Sequence, residues 1–304
     1  MSLNKPIYKL RDWVKPHIDK LDYKSLSENP NSIDFLRQNP DKINWKHLSY
    51  NPNAIDLLEK NLDKVCWYNL SMNTNAISLI RENIDKIDWF YLSQNPNAFS
   101  ILIENEDKIN WCLLSINSND EAIKLLIDNE DKINWLNFAI NSNPNAIKFI
   151  KKNLNKIKFA NLSLNTGAIQ ILKKNKDKID YKWLCLNENG FSILIENKDK
   201  IDWSNLCYNQ NPEAIKLLEK NLDKINWKSL SNNPSAISLL SENCDKIDWT
   251  NLSKNPAIFE LDYEKMRMND LHMSLYEDLI KEVMKPSRVF KNPDYDYIEE
   301  MFGD

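Results

Sequence analysis

One stretch of this chain repeats, and nothing else in it limits the possible folds as strongly. Asp41-Lys42-Ile43-Asn44-Trp45-Lys46-His47-Leu48-Ser49-Tyr50-Asn51-Pro52-Asn53-Ala54-Ile55-Asp56-Leu57-Leu58-Glu59-Lys60-Asn61-Leu62 recurs eleven times from about Ile18 to about Ile258, at a spacing of 22 or 24 residues. A fixed period in this range marks a repeat array. Each unit of such an array buries its apolar side only against its neighbours, so a length that could hold two ordinary domains grows as one body.

Each unit reads as two short helices. The first starts after Asn44 or its equivalents, short polar residues suited to an N-cap, and carries Trp45 and Leu48 on one face. The second starts at Asn51-Pro52: the Asn caps, and Pro takes the first helical position, where its missing N–H costs nothing. Ala54, Ile55 and Leu58 make its apolar stripe, and Asn61 is expected to end it in the left-handed C′ conformation. Asn fills one slot from Asn29 to Asn255 and another from Asn39 to Asn243, and with three Gly in the chain it takes over cap and turn work.

Three units carry two extra residues, Ser118-Asn119, Ser142-Asn143 and Gln210-Asn211, which predicts an enlarged loop on one face. The aromatic slot, Tyr23, Trp45, Trp67, Trp89, Trp111, Trp135, Phe159, Tyr181, Trp203, Trp227 and Trp249, reads as stacked core. A leucine-rich-repeat horseshoe shares the period and the Asn ladder. Its strand, however, needs an apolar residue where this chain has Lys24, Lys46, Ser204, Lys228 and Thr250.

Outside the array, Ile7, Leu10, Trp13 and Val14 recur at helical spacing and predict a capping helix ending near Pro16. Asp262 to about Met284 reads as a longer amphipathic helix that Pro286 stops, followed by a small element or docking tail at Tyr295–Phe302. The expected fold is all-α: a single, curved solenoid of about eleven short two-helix repeats with terminal capping helices. Its parts are a cap at 1–17, the solenoid at 18–258, and a C-terminal capping helix and acidic tail at 259–304. At 8–10 Å per repeat the body would be about 100 Å long.

Hydrophobic content of 42% and ten Trp argue against disorder, and a net charge of −4 argues against a globally basic, nucleic-acid-coating chain. The acidity is local, with twelve Asp/Glu against six Lys/Arg from Ala257 onward. No apolar run approaches the ~20 residues that cross a bilayer, and the first residues lack the apolar core of a signal peptide. A soluble, intracellular chain without membrane contact is expected. Five cysteines without zinc-site spacing read as reduced and structural, with no metal bound.

No constellation breaks the repeat to build a catalytic site. There is no Gly-rich phosphate loop or nucleophile elbow, and His17, His47 and His272 are scattered. The expectation is a non-enzyme without cofactor or catalytic residue. One Lys per repeat, from Lys20 through Lys42 and Lys64 to Lys246, sits just past a helix C-terminus, where a cation satisfies carbonyls. The alternative is a line that tracks a phosphate backbone.

The variable positions are more selective. The residue before the first Asn is polar at Glu28, Gln94, Asn232 and Lys254, chiefly towards the ends, and mostly apolar between them: Tyr50, Met72, Ile116, Ile140, Leu164, Leu186 and Tyr208. The two residues after the aromatic slot add Tyr68, Phe90, Tyr91, Leu113, Leu136 and Trp183. Apolar residues at variable, formally exposed positions point to a partner surface; the alternative is packing between adjacent repeats.

The unit L-S-x-N-P-N-A-I-x-L-L-E-x-N-x-D-K-I-x-W, as in Leu48-Ser49-Tyr50-Asn51-Pro52-Asn53-Ala54-Ile55, resembles repeats abundant in proteins of giant DNA viruses of protists, mimivirus-like ones above all. The resemblance covers about residues 18–258, and heavy Lys, Asn and Ile usage agrees with it. Repeats seven and eight depart, with Thr166-Gly167 and Glu188-Asn189-Gly190 in place of Pro-Asn. The resemblance implies a viral interaction module in host cytoplasm or viral factory, not secreted, and no activity. The functional expectation is a non-catalytic scaffold or adaptor holding a viral or host protein, as hub of a larger complex in translation or virion assembly. The alternatives are a nucleic-acid-binding solenoid using the Lys row and a structural virion component.

Overall fold

A computed structural model describes residues 6–271, with side-chain environments to residue 267. The repeats are helical throughout. Eleven first helices run from Tyr23–Glu28 to Trp249–Lys254, and ten second helices from Ile33–Arg37 to Ile237–Ser241. The first helices start as their sequence dictates: Asn44 is extended (φ −89°, ψ 96°) and its side chain accepts a hydrogen bond from the His47 N–H. Asp22, Asp88, Asn110, Asn134, Asp180, Asp202, Asn226 and Asp248 do the same in their repeats.

The second Asn slot works differently from expectation. Asn61 has φ −141° and ψ 51°, and among the described residues none has positive φ. Its side-chain amide instead donates to the Leu57 carbonyl at 2.9 Å, an orphan acceptor of the helix end, and the same bond recurs in the other nine repeats with this Asn. A short 3-10 turn such as Leu62–Lys64 then leads to the next unit.

The two-residue insertions do not enlarge a loop. Each brings a second Asn cap, so the helix begins a turn earlier: Asn119, Asn143 and Asn211 cap Asp120–Asp128, Pro144–Lys152 and Pro212–Glu219. These are the longest second helices, at 9, 9 and 8 residues.

The core is one continuous seam of small units. Leu48, Ala54 and Leu58 are fully buried, and so are their equivalents in repeat after repeat, with Phe138 replacing Leu in the sixth. Beside each Leu a Ser, Ala or Cys, also fully buried, lets neighbouring first helices approach closely. The aromatic slot is half-buried rather than core.

Adjacent repeats are joined by the first Asn slot. The Asn51 side chain donates to the Ser27 and Asn29 carbonyls of the previous repeat and accepts from the Asn53 N–H, so every polar atom is satisfied at a fully buried site. Asn-to-Asn bonds of 2.7–3.2 Å link all eleven rungs. A second ladder runs beside it, in which the Ser49 hydroxyl accepts from the Cys66 N–H of the following repeat.

Neither ladder stops at the last repeat. Asn29 in the first unit donates to the Ser253 and Asn255 carbonyls of the eleventh, both at 3.0 Å, and the Asp22 N–H donates to the Ser253 hydroxyl at 2.9 Å. The curved all-α array is as expected, but it does not extend over the ~100 Å that repeat stacking in one direction gives. It closes on itself. A full turn shared among eleven units is a rotation of about 33° per junction, a curvature that wedge-shaped units supply cumulatively.

The expected N-terminal capping helix is absent. Tyr8–Leu10 is a strand (β1), and a 3-10 helix follows at Lys15–Lys20 with Pro16 at its start. The reason lies in the eleventh repeat, which has Pro256–Ile258 and a strand, Phe259–Leu261 (β2), where a second helix would be. β1 and β2 pair, and the Arg11 N–H donates to the Ile258 carbonyl. Val14, fully buried, and Leu10 fill the incomplete unit. The residues from Leu10 to Glu260 form one compact unit, and the terminal segments form a second. In that second unit Tyr263–Leu271 is helical; the remainder of the helix expected to Met284, and the acidic tail, lie outside the described residues.

Candidate interaction face

Close helix–helix approach in the repeat unit concentrates between first helices. In the second layer Asp120–Asp128 and Pro144–Lys152 come nearest each other, together with the opening turns Thr166–Ala168 and Glu188–Gly190, and Pro234–Ala236 and Pro256–Ile258. In a closed array the more tightly spaced layer has the smaller circumference, so the first helices form the inner circle. Their outward side is covered by the second helices, which leaves the positions one, two and five after the aromatic slot as their accessible face.

The sequence-derived residues all lie there. Tyr50, Phe90, Leu136, Trp183 and Tyr208 are exposed, as is Tyr68. Met72, Tyr91, Leu113, Ile116, Ile140, Leu164 and Leu186 are half-buried. Packing between repeats therefore covers the seven half-buried residues in part and leaves the six exposed ones largely accessible. Because positions one and five lie on one side of a helix, they form a band across consecutive repeats from the second to the ninth. Aromatic contacts hold part of it in place: Tyr68 and Tyr91 meet edge-on at 4.2 Å between centroids, and Phe90 and Tyr91 at 5.0 Å.

Closure adds a group that no local reading of the sequence brings together. Lys228 of repeat ten, Lys254 of eleven, Lys24 of one and Lys46 of two occupy the same helical positions as the apolar residues elsewhere. The two polar ends of the chain are thus neighbours. Glu28 is the carboxylate among them. It pairs with Lys254 at 3.1 Å and with the His47 ring. Partial burial would push its carboxyl pKa up, but the hydrogen bonds and charges of His47 and Lys254 outweigh that and hold it below the usual value. A search for apolar residues missed these lysines; reading the same helical positions for charge would have found them.

The Lys row has a structural task. Lys64 lies over the Trp45 ring at 4.7 Å and Lys132 over Trp111 at 4.2 Å, and the same pairing links each unit to the next for ten of the eleven lysines. At the seam, Lys20 covers Trp249 at 5.3 Å. Ten of the eleven aromatic rings are thus roofed by a cation, Trp89 being the exception among the described residues, and Tyr23 and Trp135 also stack on Phe35 and Phe149.

Among the described residues no cluster of His, Cys, Asp and Glu could hold a metal, and no helix is long and apolar enough to cross a membrane. The five thiols are free; burial pushes that of Cys185 up to about 11, which keeps it protonated and unreactive at neutral pH. Comparison with protein-family models, curated proteins and solved structures found no match.

Proposed function

We propose that the chain is a non-catalytic scaffold that holds a segment of a protein partner against the accessible face of its first helices. In keeping with the repeat signature, the setting is that of a giant-virus adaptor in infected cytoplasm, joining a viral or host protein to a larger complex. The observation that carries the reading is the apolar band from Tyr50 to Tyr208, exposed or half-buried in eight successive repeats. A band of this extent is larger than the scattered apolar residues of an ordinary surface. Phosphate tracking by the Lys row has less support, because ten of those cations already sit on aromatic rings.

The test is affinity purification from infected cells with the wild-type chain and with a Tyr68→Ser/Phe90→Ser/Trp183→Ser variant whose helical circular dichroism is unchanged. The expected result is a set of proteins retained by the wild type at both low and high salt and lost by the variant. Identical sets from the two chains would overturn the reading.

A further inference from the structure

We infer that the partner segment is an amphipathic helix, apolar on one side and acidic on the other. The inference rests on the binding role proposed above and specifies its ligand. The accessible face of the first helices is divided by the closure into two arcs. Repeats two to nine present the apolar band, interrupted by Gln94 and by a single exposed cation, Lys182; repeats ten, one and two present Lys228, Lys24 and Lys46 at position one, and repeat eleven presents Lys254 at position five.

The charge of the second arc is balanced locally only in part, by Glu28 and by Asp22, whose carboxylate is within electrostatic reach of Lys24. Glu28 already accepts from Lys254 and His47, while Lys24, Lys46 and Lys228 make no ion pair among the described residues. A purely apolar segment would leave these cations without a full counter-charge, and a polyanion would leave the apolar arc facing phosphate. A helix with one apolar stripe and carboxylates opposite it complements both, which is the helix-in-groove mode with charge selection added.

The dimensions agree. Eleven helices spaced 8–10 Å apart lie on a circle of radius about 14–18 Å. Subtracting a helix half-thickness of about 5–6 Å leaves a span of roughly 17–24 Å, wider than the 10–12 Å of a single helix. Such a segment reaches both arcs through long Lys side chains.

The experiment is fluorescence anisotropy of the full chain with three probes. Two are 18-residue helical peptides with the same Leu stripe, one with Glu and one with Lys on the polar face; the third is a 20-nucleotide single strand. The expected result is at least tenfold tighter binding of the Glu peptide than of the Lys peptide, a margin that shrinks with salt. In a Lys24→Glu/Lys46→Glu/Lys228→Glu variant, all three changes at exposed positions, the preference should reverse. In the Tyr68→Ser/Phe90→Ser/Trp183→Ser variant both peptides should weaken together. Equal affinity for the two peptides, no binding of the Glu peptide by folded protein, or tighter binding of the oligonucleotide would each overturn the inference. If the apolar variant still loses its purified partners in that event, the scaffold reading stands and only the ligand class fails.

Discussion

The junction between repeats two and three and the junction between repeats eleven and one make the same bonds by different routes. At the first, Asn73 reaches the Ser49 and Asn51 carbonyls at 3.1 and 2.9 Å, and the chain itself runs across the boundary. At the second, Asn29 reaches Ser253 and Asn255 across more than 220 residues of sequence, and no peptide bond helps. The rung therefore does not depend on connectivity. At the seam Arg11 pairs with Glu260 at 3.2 Å and donates from its Nε to the Ala257 carbonyl at 2.7 Å, and Glu28 pairs with Lys254 at 3.1 Å while holding His47 across the boundary between repeats one and two. Ion pairs cross internal junctions too, as Arg37 with Asp56 and Arg81 with Glu104 at 3.0 Å; what only the seam has is the β1–β2 pairing with Arg11 beside it.

The harshest way to break the comparison is to separate the seam while sparing the interior. Val14→Asp places a charge at a fully buried position used only there, at a cost of several kcal/mol. The expected outcome is a larger radius of gyration by X-ray scattering with the helical circular dichroism retained. An unchanged radius would mean that the fastening lies elsewhere.

Removing one rung comes next. Asn73→Ala and Asn29→Ala each leave one buried carbonyl and one N–H without partners and remove one of two donors from a second carbonyl, a loss of about 2–4 kcal/mol. Urea unfolding should place the two variants within about 1 kcal/mol of each other; a much smaller loss at Asn29 would show the closing rung to be weaker than its internal copies.

Glu28→Gln tests the polar fastening alone. Its half-buried, partly screened ion pairs are worth about 1 kcal/mol. The folded-state pKa lies below the usual 4.5, so this stability is present at neutral pH and fades as the pH falls through the folded value. The gap in melting temperature between wild type and variant should narrow as the pH falls below 4.5 and through the folded value. A gap that stays constant over that range would assign it to packing.

The mildest change sharpens the contrast within the Lys row. Lys132→Gln should cost about 0.5–1 kcal/mol through loss of its contact with Trp111. Lys108→Gln should be neutral, since among the described residues Lys108 has no ring beneath it.

The sequence made the helices legible because their signals are local. Asn44 before Trp45 is a cap whose effect spans three residues, and the period-22 pattern places it eleven times. Asn61 was legible as a helix end but not in its mechanism, since a left-handed turn and a bond back to the Leu57 carbonyl demand the same residue. Ser118-Asn119 read as loop because a second cap is indistinguishable from turn material until the helix that follows it is seen to lengthen. Closure was not legible at all. It depends on a small rotation at every junction, summed over the array, and no single residue encodes the sum. For the same reason the apolar face was found from Phe90 and Trp183, while Lys24 and Lys228, at opposite ends of the array, were not recognised as neighbours.

A solenoid with free ends tolerates the gain or loss of a unit, because each unit touches only the next. Here Asn29 must meet Asn255, which makes the number of units an integer constraint. Excising one unit would require about 36° per junction in place of about 33°, and the misfit would fall on all ten remaining boundaries at once. Unequal crossing-over, the usual source of length variation in tandem genes, would be penalised within this body as it is not in an open array.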